Sequence, residues 1–273
     1  MTFKPRTLSV APMIDWTDRH CRRFHRAISQ HTWLYTEMIT TGALVYGDRN
    51  RFLAFNDEEH PVAFQLGGSD PEHMARCAKW IEQAGYDELN MNVGCPSERV
   101  QKGAFGACLM AEPGLVADCV KAMRDACSID VTVKHRIGLD YDESETMLFD
   151  FVGKVSEAGC NTFIVHARNA VLKGLSPKEN RDIPPLRYEV VKRLKQHFPH
   201  LQIILNGGIT TLEAIESHLQ WADGCMIGRE AYSNPWLLAG FDEVIGKPTT
   251  QKTRLDVIDE LRAYAEQELS RGE

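Results

Sequence analysis

Polar or reactive residues follow short apolar segments at eight points along the chain, each at the place where the segment ends. The segments are rich in aliphatic and β-branched residues and carry few charges, as is typical of strands buried on both faces of a parallel sheet. The predicted strands span residues 8–11, 34–38, 62–66, 88–92, 131–136, 162–166, 202–206 and 224–228. Eight strand-loop-helix units can close into a (β/α)8 TIM barrel, in which the carboxyl ends of the strands form the active site. We therefore predict the α/β fold class, with these polar residues around one mouth.

The length and composition of the chain agree with one enzyme domain. Its 273 residues are 43% hydrophobic and 25% charged, which is ordinary for globular proteins and excludes the disordered and fibrous classes. The sequence contains no apolar run long enough to span a membrane, and residues 1–7 lack the apolar core of a secretory signal. We therefore expect a cytoplasmic protein without a membrane segment.

Eight cysteines are spread along the chain without a C-x-x-C pair. This spacing predicts neither a zinc site nor an iron–sulfur site, and a cytosolic chain of this size does not need a disulfide framework. Most of the cysteines are expected to be small core residues, and no metal is expected.

Two basic segments stand out against a formal net charge of -7. An acidic chain can still bind nucleic acid through a local basic surface. Residues 17–26 are basic on several helical faces, and we interpret them as a solvated outer helix. Residues 173–181 are rich in glycine, serine and proline, so Lys178 and Arg181 are expected on a loop, where exposed basic residues often contact a ligand.

Helical signals separate the predicted strands. A capping box that begins at Ser69, with Pro71 at an early helical position, predicts one helix. A second box at residues 210–213 and helices over residues 144–158 and 185–198 continue the pattern. Strand and helix therefore alternate. The lack of a G-x-G-x-x-G motif after the first strand favours a barrel over an open dinucleotide-binding sheet.

Two glycine-containing turns form the clearest binding signal. Asn206, Gly207 and Gly208 follow the seventh predicted strand, and Gly228 and Arg229 follow the eighth. Glycines let the backbone approach an anion, and an arginine can donate two hydrogen bonds to phosphate oxygens. Loops after the seventh and eighth strands commonly hold phosphate in such barrels, so we predict a phosphate site rather than two plain tight turns.

Three further residues have chemistry suited to a barrel mouth. Lys134 and His166 end neighbouring strands; a buried lysine requires a counter-anion or a lowered pKa, whereas a histidine could equally be an ordinary core residue. Cys95 lies in a loop beside Asn90 and Asn92, and the pattern leaves an inert and a catalytic thiol equally open.

The series of motifs resembles that of the tRNA-dihydrouridine synthases over about the first 245 residues, and residues 175–186 resemble the A subfamily in particular. The motifs are Ala11-Pro12-Met13, Tyr35-Thr-Glu37-Met38, Gln65-Leu-Gly-Gly, Asn90-Met-Asn92-Val-Gly-Cys95-Pro96, Lys134-His-Arg136-Ile-Gly, Val165-His166-Ala-Arg, Asn206-Gly-Gly-Ile and Ile227-Gly-Arg229. Their unbroken order is far more specific than any one motif.

This resemblance implies an FMN-binding barrel that reduces uridine in tRNA to 5,6-dihydrouridine, with uridines 20 and 20a of the D-loop as targets. It implies that flavin reduced by NADPH gives a hydride to C6 of a flipped uracil, while Cys95 protonates C5. The residues implied to contact the flavin are Ala11, Pro12, Met13, Gln65, Lys134, His166, Asn206, Gly207, Gly208, Gly228 and Arg229. Asn92 and Arg136 are implied to lie near the uracil and its nucleotide, and Lys178 and Arg181 to contact tRNA.

The family pattern also implies a helical tRNA-binding domain after a barrel of residues 1–245. Residues 246–273 are interpreted as a linker and the first helix of such a domain, apparently truncated, because residues 255–269 carry apolar side chains at helical spacing. With one helix of that domain present, we expect the chain to keep FMN, to bind tRNA weakly and to be monomeric.

Three other functions stay open from the residues alone. A flavin barrel could act on a free pyrimidine, although the basic loop and the lack of iron–sulfur cysteine spacing weigh against this function. Lys134 could instead form a Schiff base in a phosphate-binding lyase of the aldolase type. A non-catalytic RNA-binding module is the last alternative.

Overall fold

Eight parallel strands and the helices between them form the part of the chain that the computed structural model describes, residues 6–249 and 251–272. The strands are β1 (Leu8–Val10), β2 (Leu34–Thr40), β3 (Val62–Gly67), β4 (Glu88–Val93), β5 (Asp130–Arg136), β6 (Thr162–His166), β7 (Gln202–Asn206) and β8 (Gly224–Ile227). From β2 to β8 each strand pairs in parallel with the next strand along the chain, and β8 pairs with β1.

β1 closes the barrel by lying between β8 and β2. Val10 pairs with Ile227 of β8, and its N–H donates to the carbonyl of Trp33 at 2.9 Å, beside a parallel bridge between Ser9 and Trp33. A closed sheet has no exposed strand edge and directs all its carboxyl ends to one side. The predicted (β/α)8 barrel is confirmed, and the predicted strands agree with the observed bounds to within two residues.

Helices follow the strands and cover the outside of the barrel. They are α1 (Arg19–Ile28), α2 (Thr41–Tyr46), α3 (Arg49–Leu53), α4 (Pro71–Gln83), α5 (Glu98–Lys102), α6 (Pro113–Ala126), α7 (Thr146–Glu157), α8 (Tyr188–His197), α9 (Leu212–Leu219), α10 (Arg229–Ser233), α11 (Phe241–Val244) and α12 (Arg254–Ser270). Their apolar faces pack on the outer surface of the sheet in one large core that includes Phe64, Met123 and Phe151. This burial is the main stabilising contribution to the fold.

The inside of the barrel holds a second, smaller apolar core, because strand side chains point alternately to the two faces of the sheet. Its members are Ala11, Trp33, Tyr35, Ala63, Ile164, Ile204 and Met226. Polar side chains replace apolar ones on the β4 and β5 side of the interior, where Glu88, Asn90 and Thr132 are fully buried. Buried polar groups require hydrogen-bond partners, so this side of the interior has to be a bonded network.

Two helices begin one residue later than their capping boxes predict. Asp70, not Ser69, caps α4, and its carboxylate accepts from the N–H of His73 at 2.8 Å. The residue before a proline is held in an extended conformation, which suits an N-cap and excludes it from the helix. Thr211, not Thr210, caps α9 in the same way, with extended backbone and a hydroxyl that accepts from Ala214.

The interpretation of residues 17–26 as a solvated basic helix is wrong for most of its basic side chains. Arg22 and Arg26 of α1 are buried. Arg22 pairs with the buried carboxylate of Glu59 at 2.5 Å, and Arg26 donates to the Glu59 carbonyl at 3.0 Å. Both guanidinium groups are therefore used to join α1 to the loop before β3, because burying an unpaired charge is costly.

The last helix packs on the first. The Tyr264 hydroxyl of α12 and the His20 ring of α1 form a hydrogen bond of 2.7 Å. Glu268 of α12 pairs with Arg19 of α1 at 2.7 Å. Val257 of α12 is buried, whereas Leu255 is 72% exposed. Residues 255–269 thus form the predicted helix and contact the barrel through α1. Within the described ranges, no helix combines the length and the apolar character that crossing a membrane would require.

Candidate active site

The predicted site residues lie at the carboxyl ends of the strands or in the loops that follow them. They are Ala11, Pro12 and Met13 after β1, Gln65 on β3, Asn92 on β4 and Cys95 after it, Lys134 and Arg136 on β5, His166 on β6 with Lys178 and Arg181 in the next loop, Asn206 to Gly208 at the end of β7, and Gly228 and Arg229 after β8. Because the parallel strands form one closed barrel, these ends share a single mouth.

Asn92 holds the loop that carries Cys95. Its side-chain oxygen accepts from the N–H of Cys95 at 2.6 Å and from the N–H of Gly94 at 3.2 Å. The Cys95 carbonyl accepts from Ala107 at 2.9 Å, so the loop is bonded on both sides. The Cys95 thiol lies 3.5 Å from the Ser97 hydroxyl and is partly exposed. The backbone of the loop is therefore fixed, and Cys95 remains partly exposed.

The buried amine of Lys134 has a neutral hydrogen-bond partner. Its ammonium donates to the side-chain oxygen of Asn206 at 3.0 Å. Burial and the neighbouring Arg136 lower the pKa of Lys134 to about 7, and the interaction with Cys95 opposes this shift. An amine in such surroundings gains a counter-charge when an anionic ligand binds beside it.

His166 is a neutral histidine in this cationic environment. Burial, followed by the charges of Arg136 and Lys134, lowers its pKa well below the usual value. The ring packs against Gly207, where a β-carbon would lie 2.5 Å from the His166 Cδ2 atom. Gly207 also has a φ of +113°, a conformation that other residues rarely adopt. The glycine is thus required both by its backbone and by its neighbour.

Arg136 joins two loops at the mouth. Its guanidinium donates to the carbonyl of Gly94 at 3.1 Å, to that of Asn169 at 3.2 Å and to that of Asn180 at 3.0 Å. Burial lowers the pKa of Arg136 to about 10, and the group stays charged at neutral pH. The same side chain therefore adds positive charge to the mouth and fixes the loops after β4 and β6.

The predicted phosphate corner combines glycine turns with an exposed cation. An added β-carbon at Gly228 would meet no atom within 4 Å, so this turn faces open space. Arg229 is exposed and pairs with Asp182 at 2.6 Å. Exposed pairs of this kind contribute little stability and exchange readily for another anion. With Lys134, these groups form a set of donors that suits a phosphate-bearing ligand.

The basic loop after β6 is anchored by a residue that sequence reasoning missed. Lys178 and Arg181 are exposed, whereas Asn180 between them is fully buried. The Asn180 amide accepts from the N–H of Val171 at 2.7 Å and donates to the Val171 carbonyl at 2.9 Å. An asparagine in a loop usually indicates a turn, and no signal in the sequence shows that this one is buried.

These features define a (β/α)8-barrel enzyme with a thiol, a histidine and several cations at the carboxyl-end mouth. A comparison with family models matches the dihydrouridine synthase (Dus) family over residues 9–273. The chain belongs to the dihydrouridine synthase family, as its motifs predict, and it is an oxidoreductase of that class.

Three relatives illustrate the similarity, and each has the name tRNA-dihydrouridine(20/20a) synthase. The protein of Pseudomonas aeruginosa is 60% identical over 268 residues, which cover 98% of this chain and 81% of the relative. The protein of Vibrio parahaemolyticus is 58% identical, and the alignment covers 97% of this chain and 82% of the relative. The protein of Escherichia coli is also 58% identical, with 97% and 80% covered.

Proposed function

We propose that this chain reduces uridine to 5,6-dihydrouridine in tRNA, at positions 20 and 20a of the D-loop, using FMN and NADPH. The names of the three relatives support the substrate and the positions. The observation that carries the proposal is the meeting of the Cys95 loop, Lys134 and Asn206 in one mouth. This reaction needs a thiol that donates a proton. It also needs a cation that stabilises the reduced flavin.

FMN fits the residues on the β7 and β8 side of the mouth. Gly207 lets the His166 ring pack directly against the turn after β7, and Gly228 faces open space. Arg229 and the backbone N–H groups of the glycine turns would hold the phosphate. Lys134, whose pKa is lowered by burial, would stabilise the negative charge of the flavin ring when the flavin is reduced. When bound, FMN supplies the hydride that reaches C6 of the uracil, after taking electrons from NADPH.

The chain's own residues supply the proton and the position of the base. Cys95 holds a thiol proton at the mouth and donates it to C5 of the uracil. Asn92 fixes the backbone of Cys95, and Arg136 adds positive charge beside the nucleotide while it holds the same loop. The uridine has to leave its stack to reach this depth, so the site receives an extruded base.

The surface around the mouth supports tRNA as the partner. Lys178 and Arg181 are exposed on the loop that Arg136 and Asn180 anchor, and they would bind backbone phosphates. Residues 246–273, with α12 packed on α1, are proposed to belong to a helical tRNA-binding unit that follows the barrel of residues 1–245. Because the substrate is tRNA, we propose that the enzyme works in the cytoplasm.

Comparing folded tRNA with free uridine tests the substrate. The purified protein is expected to be yellow, to be bleached by NADPH and to be re-oxidised by folded unmodified tRNA. Free uridine is expected to re-oxidise it far more slowly, because it lacks the phosphates that the basic loop binds. Equal rates with both would instead favour a dehydrogenase of free pyrimidines.

A second candidate function is favoured by the burial of the Lys134 amine beside Arg136, which lowers its pKa to about 7. A lysine with this pKa is about half unprotonated at pH 7, which is a property required of a Schiff-base nucleophile. The two candidates differ in a simple test. A Schiff-base enzyme would be colourless and would form a borohydride-trapped adduct at Lys134 with a carbonyl substrate, whereas a dihydrouridine synthase would carry flavin and form no such adduct.

A further inference from the structure

A continuous series of side-chain hydrogen bonds runs through the barrel interior from Glu88 at the start of β4 to the backbone of Cys95. The bonds are Thr132 Oγ1 to Glu88 Oε1 (2.5 Å), Asn90 Nδ2 to Thr132 Oγ1 (2.8 Å), Gln65 Nε2 to Asn90 Oδ1 (2.8 Å), Asn92 Nδ2 to Gln65 Oε1 (2.9 Å) and Cys95 N to Asn92 Oδ1 (2.6 Å). We refer to these bonds as the interior chain.

The two ends of the interior chain determine its direction. The carboxylate of Glu88, which pairs with Arg6, can only accept, so the Thr132 hydroxyl gives its proton to Glu88 and accepts from Asn90. At the other end the backbone N–H of Cys95 can only donate, so the Asn92 oxygen has to face it. The two remaining amides, Asn90 and Gln65, then have one orientation in which every donor meets an acceptor.

Burial makes that orientation strict. Glu88 and Asn90 are 0% exposed, Gln65 and Thr132 are each 1% exposed, and Asn92 is 8% exposed. An amide that turned over would bring two donors or two acceptors together where water cannot compensate. If one amide turned over, the next amide would have to turn over as well. The change would finally reach the Asn92 side chain, which holds the Cys95 loop.

We propose that Thr132 and Asn90 are positioning residues for Cys95, acting through Gln65 and Asn92. The proposal rests on the proposed role of Cys95 as the proton donor to uracil. Glu88 lies at the amino end of β4, and Cys95 follows the carboxyl end of the same strand. Residues at the amino end would therefore position an acid at the mouth. Thr132 and Asn90 need not touch substrate or flavin for this role, because their effect travels through the amides.

Replacing Thr132 tests the proposal with closely matched variants. Thr132→Val keeps the shape but removes the hydroxyl that passes the direction on, whereas Thr132→Ser keeps the hydroxyl. Tyr35→Phe is the control for general loss of a bond at this carboxylate, because the Tyr35 hydroxyl also donates to Glu88 Oε1, at 2.8 Å, but lies outside the interior chain.

The two half-reactions are measured separately, per bound flavin. Thr132→Val is expected to slow re-oxidation by tRNA about tenfold or more, because small misplacements of a reacting group have effects of this size. Reduction by NADPH is expected to slow far less, because Cys95 has no part in it and Gln65 is the one member of the interior chain that is predicted to contact the flavin. Thr132→Ser and Tyr35→Phe are expected to keep both rates. Equal slowing of both half-reactions in Thr132→Val, or equal slowing by Thr132→Ser, would overturn the proposal.

A second measurement does not depend on tRNA. The rate at which iodoacetamide alkylates Cys95, followed on its own peptide across a range of pH, reports the surroundings of the thiol. This profile is expected to change in Thr132→Val and to stay unchanged in Thr132→Ser and Tyr35→Phe. An unchanged profile in Thr132→Val would overturn the interior chain even if the wild-type protein reduced no tRNA, so failure of the proposed function is distinguishable. If Thr132→Val does not fold, Asn90→Leu interrupts the same chain and has the same expected and contrary results.

Discussion

The ammonium of Lys134 on β5 donates to the side-chain oxygen of Asn206 on β7 at 3.0 Å, reaching past β6 at the mouth of the barrel. Asn206 is fixed in turn, because its own amide donates to the Met226 carbonyl of β8 at 2.8 Å. The lysine is thus held by a neutral partner while burial and Arg136 lower its pKa to about 7. A fixed amine with this pKa is prepared for an anionic ligand.

Binding of reduced FMN is therefore expected to depend on pH through Lys134. Above about pH 7 the free lysine increasingly loses its proton, whereas beside the anionic reduced flavin it keeps it, so binding takes up a proton and weakens as the pH rises. Between about pH 7 and pH 8.5 the Kd for reduced FMN is expected to rise about tenfold. Titrating the FMN-free protein with reduced FMN under anaerobic conditions, followed by protein fluorescence at several pH values, measures this change.

The variant Lys134→Met provides the control. It is expected to bind reduced FMN more weakly at neutral pH and to lose the steep dependence on pH in this range. A wild-type Kd that stays flat, or a variant that keeps the wild-type slope, would show that the proton is taken up elsewhere.

Removing the Cys95 thiol is expected to separate the two halves of the reaction. In Cys95→Ala the loop keeps its bond to Asn92, because that bond comes from the backbone. Loss of a proton donor is expected to slow reduction of tRNA by about 10²-fold or more. Flavin reduction by NADPH is expected to remain near the wild-type rate in stopped-flow measurements. If both rates fell together, Cys95 would not have the role proposed for it.

Gly207→Ala is expected to release FMN as well as lower stability. The new β-carbon would lie 2.5 Å from the His166 ring at a φ of +113°, so the ring has to move within the site. Backbone strain of this kind costs about 1–3 kcal/mol. The measurements are the flavin absorbance per protein and the thermal unfolding midpoint.

Gly246→Ala is the matched control for that variant. Gly246 also has a positive φ, of +67°, but an added β-carbon would meet no atom within 4 Å. It is expected to lose about 1 kcal/mol of unfolding free energy while it keeps its flavin. Equal flavin loss in the two variants would assign the effect to general destabilisation and not to the His166 contact.

The loop cations are expected to contribute to tRNA affinity through phosphate contacts. Lys178→Ala and Arg181→Ala should each weaken tRNA binding and reduce the slope of log affinity against log salt concentration by about 0.7–0.9 for a lost contact. Lys121→Ala, a change in an exposed lysine of α6 that pairs with Asp125, is the control and should leave the slope unchanged. A loop variant with the wild-type slope would contradict the assignment.

The sequence predicts the barrel and its mouth well because both follow from local patterns. Apolar runs mark each strand, and the residue after a run lies at the carboxyl end whatever the distant packing is. The details that failed depend on neighbours. Ser69 and Asp70 are both good caps, and only the conformation imposed by Pro71 decides between them.

Long-range partners explain what the sequence could not show. In the sequence Arg22 is one of several basic residues of a helix, which indicates a surface position. Its burial depends on the ion pair with Glu59, which lies 37 residues later in the chain. The interior chain from Glu88 to Cys95 involves β3, β4 and β5, so its members have no common spacing by which a pattern could reveal them. Asn180 is hidden in the same way, since its partner Val171 lies in another part of the loop.

Mapping dihydrouridine in unmodified tRNA after incubation with the protein, FMN and NADPH tests the central claim most directly. The wild-type protein is expected to produce dihydrouridine at positions 20 and 20a of the D-loop. The variant Cys95→Ala is expected to produce far less. Absence of dihydrouridine from tRNA exposed to the flavin-loaded wild-type protein, or equal amounts with both chains, would contradict the account.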